Sequence, residues 1–167
     1  YNGEFFVNHV PLTEGSNTIT ATATDTAGYT ATTSILVNAV TTGNYIELTA
    51  NPESGISPLE VTVKIDGSFS ITNSTISVSG PGSIEWLSTG IDEYVVRMTT
   101  EGIYYFTATV TGPDSNVYQD TVAIVVLNTS QLDALLRAKW EAMKTALANQ
   151  DVDGAITYIS PITRPIY

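Results

Sequence analysis

The chain has 167 residues, a formal net charge of −11 and no cysteine, which excludes disulfide frameworks and thiolate metal sites. Charged residues make up only 14% of the chain, compared with ~25% in ordinary soluble proteins. Residues 1–127 hold thirteen acidic residues and only two basic ones, Lys64 and Arg97. Two basic residues are too few to bind along the phosphates of a nucleic acid, so nucleic acid is excluded as a partner.

The charge balance changes near residue 128. Residues 128–167 hold four acidic and four basic residues, and this shift predicts a domain boundary. No apolar run approaches the ~18–20 residues that a membrane-spanning helix needs, so we expect no membrane insertion. The absence of cysteine favours a bacterial or archaeal source, and the abrupt start at "YNGEFF" leads us to expect a segment of a longer protein.

The first forty residues contain the most regular pattern in the chain. Over residues 17–25 apolar residues alternate with threonine, which indicates a strand with one buried face and one wet face. Ile19, Ala21 and Ala23 would lie on the apolar face. After the turn sequence "DTAG" the alternation resumes as far as Val37, so the two strands are predicted to form a hairpin.

A further strand is predicted before this hairpin, because Phe6, Val10 and Leu12 share strand parity. Three strands are about half of a β-sandwich, and a sheet with one apolar face needs a second layer. We therefore interpret residues 1–40 as half of a sandwich module. Its cover would come from the C-terminal helix, from a second copy of the chain, or from a strand donated by a neighbour.

Residues 41–127 predict a complete sandwich. Seven short strands are separated by turns rich in Gly, Pro, Asn, Asp and Ser, a spacing typical of all-β sandwiches. The predicted strands span residues 45–51, 59–66, 75–79, 84–88, 93–99, 103–112 and 117–127. Alternation within the sixth strand places Tyr104 and Phe106 in the core.

The pattern of residues 128–167 is helical. Ser130, three residues before Asp133, resembles a capping box. Leucines then recur near one helical face, and the first helix is predicted to end at residues 149–150. A second short helix is predicted to start at Asp151. These residues therefore predict a helical hairpin whose apolar face needs a partner.

Two sets of spaced motifs carry a family resemblance. "GEFF", "VPL", "GSNTI", "ATDTAG" and "ILV" in the first forty residues resemble the closing strands of bacterial Ig-like modules. "NP", "GISPLEV" and "GIY" in residues 45–126 resemble PKD-like or Ig-like modules. The helical tail resembles the first helices of α-rich domains that follow such modules in large bacterial surface proteins.

The resemblance implies a mainly β fold. It would contain a partial Ig-like antiparallel β-sandwich (1–40), a complete one (41–127) and a C-terminal helical hairpin (128–167). It also implies that Tyr104, two residues after Gly102, occupies a tyrosine-corner position.

Few residues suggest metal or acid–base chemistry. His9, the single histidine, lacks the partners of a catalytic triad and has the parity of an exposed strand position. "NQDVDGAITYIS" matches a calcium-binding EF-hand loop through Asn149, Asp151 and Asp153, but Ser160 stands where a bidentate Glu closes the shell. We interpret this stretch as an interhelical turn in which Asp151 caps the next helix, with the calcium loop as the alternative.

Acidic residues near the predicted loops suggest a second calcium hypothesis, because sandwich modules in tandem can bind the ion between them. These residues form no D-x-D cluster, so we interpret them as solvated acids. They are Asp66, Asp92, Glu93, Asp114 and Asp120.

Trp86 is the candidate ligand-facing aromatic residue. Aromatic residues on strands most often belong to the core, so an inside or edge position is the first interpretation of Trp86. A sugar-binding platform is the alternative.

These features predict a non-catalytic structural spacer and protein-interaction segment of a larger extracellular or cell-surface bacterial protein, without a cofactor. Its partners would be other domains of the parent protein or a neighbouring protein chain. The alternative is a carbohydrate- or calcium-binding accessory module. No nucleophile–base arrangement is visible, so an enzyme is not predicted.

Overall fold

The computed structural model describes residues 6–25 and 27–158, except for the side chain of Gln131. Within these residues the chain forms ten strands and two helices. The strands are β1 (Gly15–Thr24), β2 (Thr30–Ala39), β3 (Ile46–Asn51), β4 (Ser54–Ile56), β5 (Leu59–Gly67), β6 (Thr75–Ser79), β7 (Ile84–Thr89), β8 (Glu93–Met98), β9 (Gly102–Thr111) and β10 (Val117–Leu127). The helices are α1 (Thr129–Ala148) and α2 (Val152–Ile156).

Eight strands form two four-stranded sheets that pack face to face. One sheet has the order β3-β5-β8-β7 and the other the order β4-β10-β9-β6. Neighbouring strands are antiparallel except for β4, which runs parallel to β10. Apart from the short β4, this is the four-plus-three strand order of an immunoglobulin constant-type domain. The fold is therefore an Ig-like antiparallel β-sandwich.

The core lies between the two sheets and follows the two-residue period of the strands. In β5, Leu59, Val61, Val63 and Ile65 are buried and the residues between them are more exposed. No polar or charged residue is buried within the described part of the chain. Each fully buried aliphatic or aromatic side chain stabilises the fold by ~1.5–3 kcal/mol, so this interior is the main source of stability. The largest completely buried side chains are Tyr104, Phe106, Leu48, Ile65, Met98, Ile124, Val61, Val63, Val96, Val110, Val122 and Val126.

Tyr104 is completely buried, and its hydroxyl donates a hydrogen bond to the carbonyl oxygen of Thr100 at 3.0 Å. This is the tyrosine-corner contact expected from the position of Tyr104 two residues after Gly102. The ring lies so close to Gly80 that a Cβ there would be 2.4 Å from the ring carbon Cδ1. Glycine at position 80 is therefore a packing requirement of the tyrosine.

All seven strands predicted for residues 41–127 are confirmed, with every end within one residue. The sequence pattern does not predict β4, because three residues between two prolines show no alternation. Its position is set by β10, where Val125 N donates to Glu53 O at 2.9 Å and Leu127 O accepts from Ser57 N at 2.8 Å. A long-range backbone contact, rather than local propensity, makes this segment a strand.

The strand predicted around Phe6, Val10 and Leu12 is wrong for the described residues, since 6–14 form no strand. Residues 1–5 lie outside the description. His9, predicted to occupy an exposed strand position, has φ of 52°. That angle belongs to the left-handed region and interrupts an extended chain. The described residues of the N-terminal part therefore contribute two strands, β1 and β2, instead of three.

The predicted change to helix at residue 128 is confirmed by α1. The capping-box prediction is wrong, because the helix starts at Thr129 and Asp133 instead binds Arg137, with 2.8 Å between carboxylate and guanidinium. The second helix begins after Asp151, as predicted. No helix in the described residues is long and apolar enough to cross a membrane.

Replacing Tyr104 by phenylalanine tests the corner. Tyr104→Phe leaves the Thr100 carbonyl without its donor, so we expect the free energy of unfolding to fall by ~1–3 kcal/mol. Urea denaturation measures this loss. Tyr105→Phe, on the exposed side of the same strand, is the matched control and should leave stability nearly unchanged. Equal stability of the two variants would contradict the assignment.

Candidate functional site

The hairpin β1–β2 forms a two-stranded sheet separate from the sandwich sheets. Ile19 is opposite Ile35 and Ala23 is opposite Ala31. The apolar side chains other than Leu36 therefore share one face, as the alternation predicts. They belong to Ile19, Ala21, Ala23, Ala31, Ile35 and Val37. The other face carries hydroxyls and the exposed Leu36, and the hydroxyls of Thr20 and Ser34 are hydrogen-bonded at 2.9 Å.

Within residues 6–25 and 27–158 nothing covers this apolar face. Ile35 keeps 60% of its surface exposed, and Ile19 is only half-buried. An isolated two-stranded hairpin is at best marginally stable in water, and exposed apolar faces mark association sites. We name the residues of this face the hairpin face, and it is the candidate interaction surface of the chain.

One root of the hairpin is fixed to the sandwich by Asn8. Its amide Nδ2 donates to Ala123 O at 2.9 Å, and its Oδ1 accepts from Ala123 N at 3.0 Å. The side chain thus bonds both backbone groups of one β10 residue, as a neighbouring strand would. Asn8 therefore attaches the segment before β1 to the edge of β10.

His9 lies next to this contact and between two carboxylates. Its Nδ1 is 3.4 Å from Glu47 Oε1, and its Nε2 is 3.8 Å from Glu53 Oε1. Both glutamates are about half exposed. His9 is exposed, as predicted, but it does not lie on a strand, and its position gives it a role in the contact between the N-terminal segment and β3.

The other root of the hairpin enters the sandwich at Asn44 and Tyr45. Tyr45 O accepts from Ser68 N at 3.1 Å, and Tyr45 N donates to Ser68 Oγ at 2.9 Å. The amide of Asn44 donates to Asp114 Oδ2 at 3.4 Å. Both roots of the hairpin are therefore bonded to the same sandwich.

Asp114 organises the loop between β9 and β10. Its carboxylate accepts from the Tyr118 hydroxyl at 2.6 Å and from Asn116 N and Nδ2 at 3.1 and 3.0 Å, in addition to Asn44. These donors, above all the Tyr118 hydroxyl, lower the pKa of Asp114 from 3.8 to about 2. The same hydrogen bond raises the pKa of Tyr118.

Asp120 also has a structural role instead of the purely solvated one expected from the sequence. Its Oδ2 accepts from Leu48 N at 2.7 Å, and its Oδ1 accepts from Thr121 N at 2.8 Å. The first bond joins β10 to the outer edge of β3. Leu48 is 72 residues away in the sequence, so only the tertiary structure identifies this contact.

The C-terminal helix does not provide the predicted cover for the hairpin face. Leu136 and Trp140 each keep 57% of their surface exposed. Together with Lys139, Met143 and Tyr158 they line a shallow groove of about 180 Å³ between α1 and the end of α2. In the part of the chain that the structure describes, the apolar stripe of α1 and the hairpin face are therefore two separate uncovered surfaces.

The residues of the possible calcium loop form the connection between α1 and α2. Asp151 is the N-cap of α2, and its Oδ1 accepts from Gly154 N at 2.9 Å. Asn149 and Asp153 are exposed, and Ser160 lies outside the described residues. Within the described residues no group of three or more His, Cys, Asp or Glu side chains is arranged to hold a metal ion. Calcium binding by this loop stays the alternative hypothesis.

Trp86 lies on β7 at the edge of its sheet and keeps 39% of its surface exposed. Its ring contacts Tyr94 edge-on, with 5.8 Å between the ring centroids. A bulge between Trp86 and Ser88 interrupts the pairing with β8. The structure does not bring Trp86 together with Asn149, Asp151 or Asp153, and a ligand-facing role for it stays a prediction.

No protein-family model and no curated protein matches the chain. Solved structures similar to it include PcdhgB3 EC1-4, with a TM-score of 0.37 and 16% identity over 69% of this chain and 32% of that chain. Protocadherin Gamma B2 extracellular cadherin domains 3-6 give 0.38 and 17% over 68% and 30%. The chain thus spans about a third of the length of these structures. At such scores the fold assignment rests on the strand order and register described above.

The low pKa of Asp114 predicts an acid-sensitive loop. The unfolded chain protonates this carboxyl near pH 3.8 and the folded chain only near pH 2, so the contribution of Asp114 to stability is complete above ~pH 4 and is lost as the pH falls towards 2. We expect Asp114→Asn to be less stable than the wild type at neutral pH and equally stable near pH 2.

Urea denaturation at a series of pH values measures this difference. Asp92→Asn makes the same change of charge at an exposed loop position and should follow the wild-type pH profile. A stability difference between Asp114→Asn and wild type that is the same at pH 7 and pH 2 would show that the carboxylate does not stabilise the loop.

Proposed function

We propose that the chain is a non-catalytic structural and protein-interaction segment of a larger extracellular or cell-surface bacterial protein. The sandwich is the rigid body of this segment, and the hairpin is its contact arm. Its partner is a protein surface, either another domain of the parent protein or a neighbouring chain.

The observation that carries this proposal is the uncovered hairpin face. The hairpin projects ten paired residues per strand from the sandwich, and its apolar residues point to one side except for Leu36, which is paired with Thr18 on the hydroxyl face. A protein partner with an apolar patch would bury the hairpin face and would add strands to the free edges of β1 and β2.

The outer surface of the sandwich differs in character from the hairpin face, and this difference supports the hairpin face as the contact surface. On the β3-β5-β8-β7 sheet, Arg97 binds Glu60 at 2.5 Å and Glu85 at 2.9 Å, and Lys64 binds Asp66 at 2.6 Å. This face is polar and paired, as expected of a solvated spacer surface. The hairpin face has no such charges and is better suited to a protein contact.

The extracellular, bacterial setting is supported by composition and by the motif resemblance. A chain with no cysteine and only 14% charged residues relies on hydroxyl side chains for solubility. The threonine face of the hairpin is the clearest example. The spaced motifs shared with bacterial Ig-like modules favour the same setting.

A charge introduced on the hairpin face tests the proposal. In concentrated solution the apolar faces of two copies should cover each other weakly, with a Kd of ~0.1–1 mM. Sedimentation velocity over a dilution series measures this association. Ile35→Asp places like charges in the contact and should abolish it.

Thr22→Asp is the matched control, because it adds the same charge on the hydroxyl face of the hairpin and should leave the association in place. A wild-type chain that stays monomeric up to millimolar concentration would contradict the proposed contact arm. Equal effects of the two substitutions would place the contact elsewhere.

A further inference from the structure

A cleft of about 480 Å³ lies between the β5–β6 loop and the β9–β10 loop. This volume is within the ~300–1,000 Å³ of small-ligand sites. Its lining residues are Phe69, Ser70, Thr72, Asn73, Thr111, Gly112 and Pro113. The cleft is distinct from the hairpin face and from Trp86.

Contacts within the protein hold both walls of this cleft in place. The β9–β10 loop is fixed by the hydrogen bonds that Asp114 accepts. In the β5–β6 loop, the Ser74 hydroxyl bonds Ile91 O and lies 2.6 Å from the Tyr94 hydroxyl. The rings of Phe69 and Tyr118 pack against each other across the two walls, with 5.3 Å between centroids. A cleft with fixed walls binds a ligand at lower entropic cost.

The polar groups of the cleft are free to bind a ligand. Ser68 and Ser74, on either side of it, are hydrogen-bonded to the protein. By contrast, within the part of the chain that the structure describes, the side chains of Ser70, Thr72 and Asn73 form no hydrogen bond to protein. They supply two hydroxyls and one amide, each able to donate and to accept.

The absence of charged residues from the lining favours an uncharged ligand. None of the seven lining residues is charged, in a chain whose net charge is −11. A cation would find no carboxylate in the cleft, and an anion would meet the negative field of the protein. An uncharged ligand with many hydroxyl groups and an apolar face fits the mixture of free polar groups with Phe69 and Pro113.

We propose that this cleft binds a neutral saccharide. Phe69 and Pro113 contact the apolar C–H face of a sugar ring, and Ser70, Thr72 and Asn73 hydrogen-bond its hydroxyls. This binding goes beyond the protein-contact role of the hairpin and does not depend on it.

Titration of the ¹⁵N-labelled chain with maltose, cellobiose and lactose tests the proposal. At ~10 mM sugar, where millimolar binding is visible, at least one of the three should shift amide signals of residues 69–73 and 111–113. Galacturonic acid, which is anionic, should shift them less. Thr72→Val removes one hydroxyl at nearly constant shape and should weaken binding about fivefold.

Thr18→Val is the matched control, since Thr18 is an exposed hairpin threonine, and it should leave sugar affinity unchanged. Asn73→Ala provides a second variant in case Thr72→Val alters the loop. Shifts centred on Trp86, binding that both cleft variants leave unchanged, or no shift with any of the three neutral sugars would overturn the proposal.

Discussion

An apolar sheet face in water needs a second layer, and this constraint accounts for both the ordered body and the uncovered arm of the chain. In the sandwich the two four-stranded sheets cover each other, so that side chains such as Leu48 and Phe106 lose all contact with solvent. The hairpin follows the same alternation, but no described part of the chain shields Ile35. The same residue pattern is therefore a core in one place and a contact surface in the other.

Specific polar contacts decide how the hairpin is attached. Asn8 bonds both backbone groups of Ala123, and Asn44 reaches Asp114 in the loop before the same strand. Because both roots are bonded to the sandwich, the hairpin is held as an arm of that domain. This arrangement favours a unit in which the arm and the sandwich move together. A domain boundary at residue 40 stays a prediction.

The strands of the sandwich were predictable because each carries its own alternation between turn residues. Tyr104 was predictable because the corner depends on a short local spacing from Gly102. The hairpin faces followed from the threonine pattern in the same way. These features all depend on interactions close in sequence or on the burial of one face of a strand.

What the sequence did not predict depends on contacts distant in sequence. The strand expected near Phe6 is replaced by a side-chain contact between residues 8 and 123. β4 is a strand only because it pairs with β10, and the role of Asp120 depends on Leu48, 72 residues away. No local pattern encodes such partners. The proposed saccharide cleft lies between two loops that are about forty residues apart in the sequence, so the sequence did not predict it either.

Amide hydrogen exchange across a dilution series tests most directly whether the hairpin face is a contact surface that a partner covers. The account predicts slow exchange at residues 19–23 in concentrated solution and loss of that protection on dilution. Residues 61–65 in the sandwich core should stay protected at every concentration. Protection at residues 19–23 that is independent of concentration would show that the chain covers its own hairpin. Free exchange at all concentrations would show that the hairpin is not a folded contact surface.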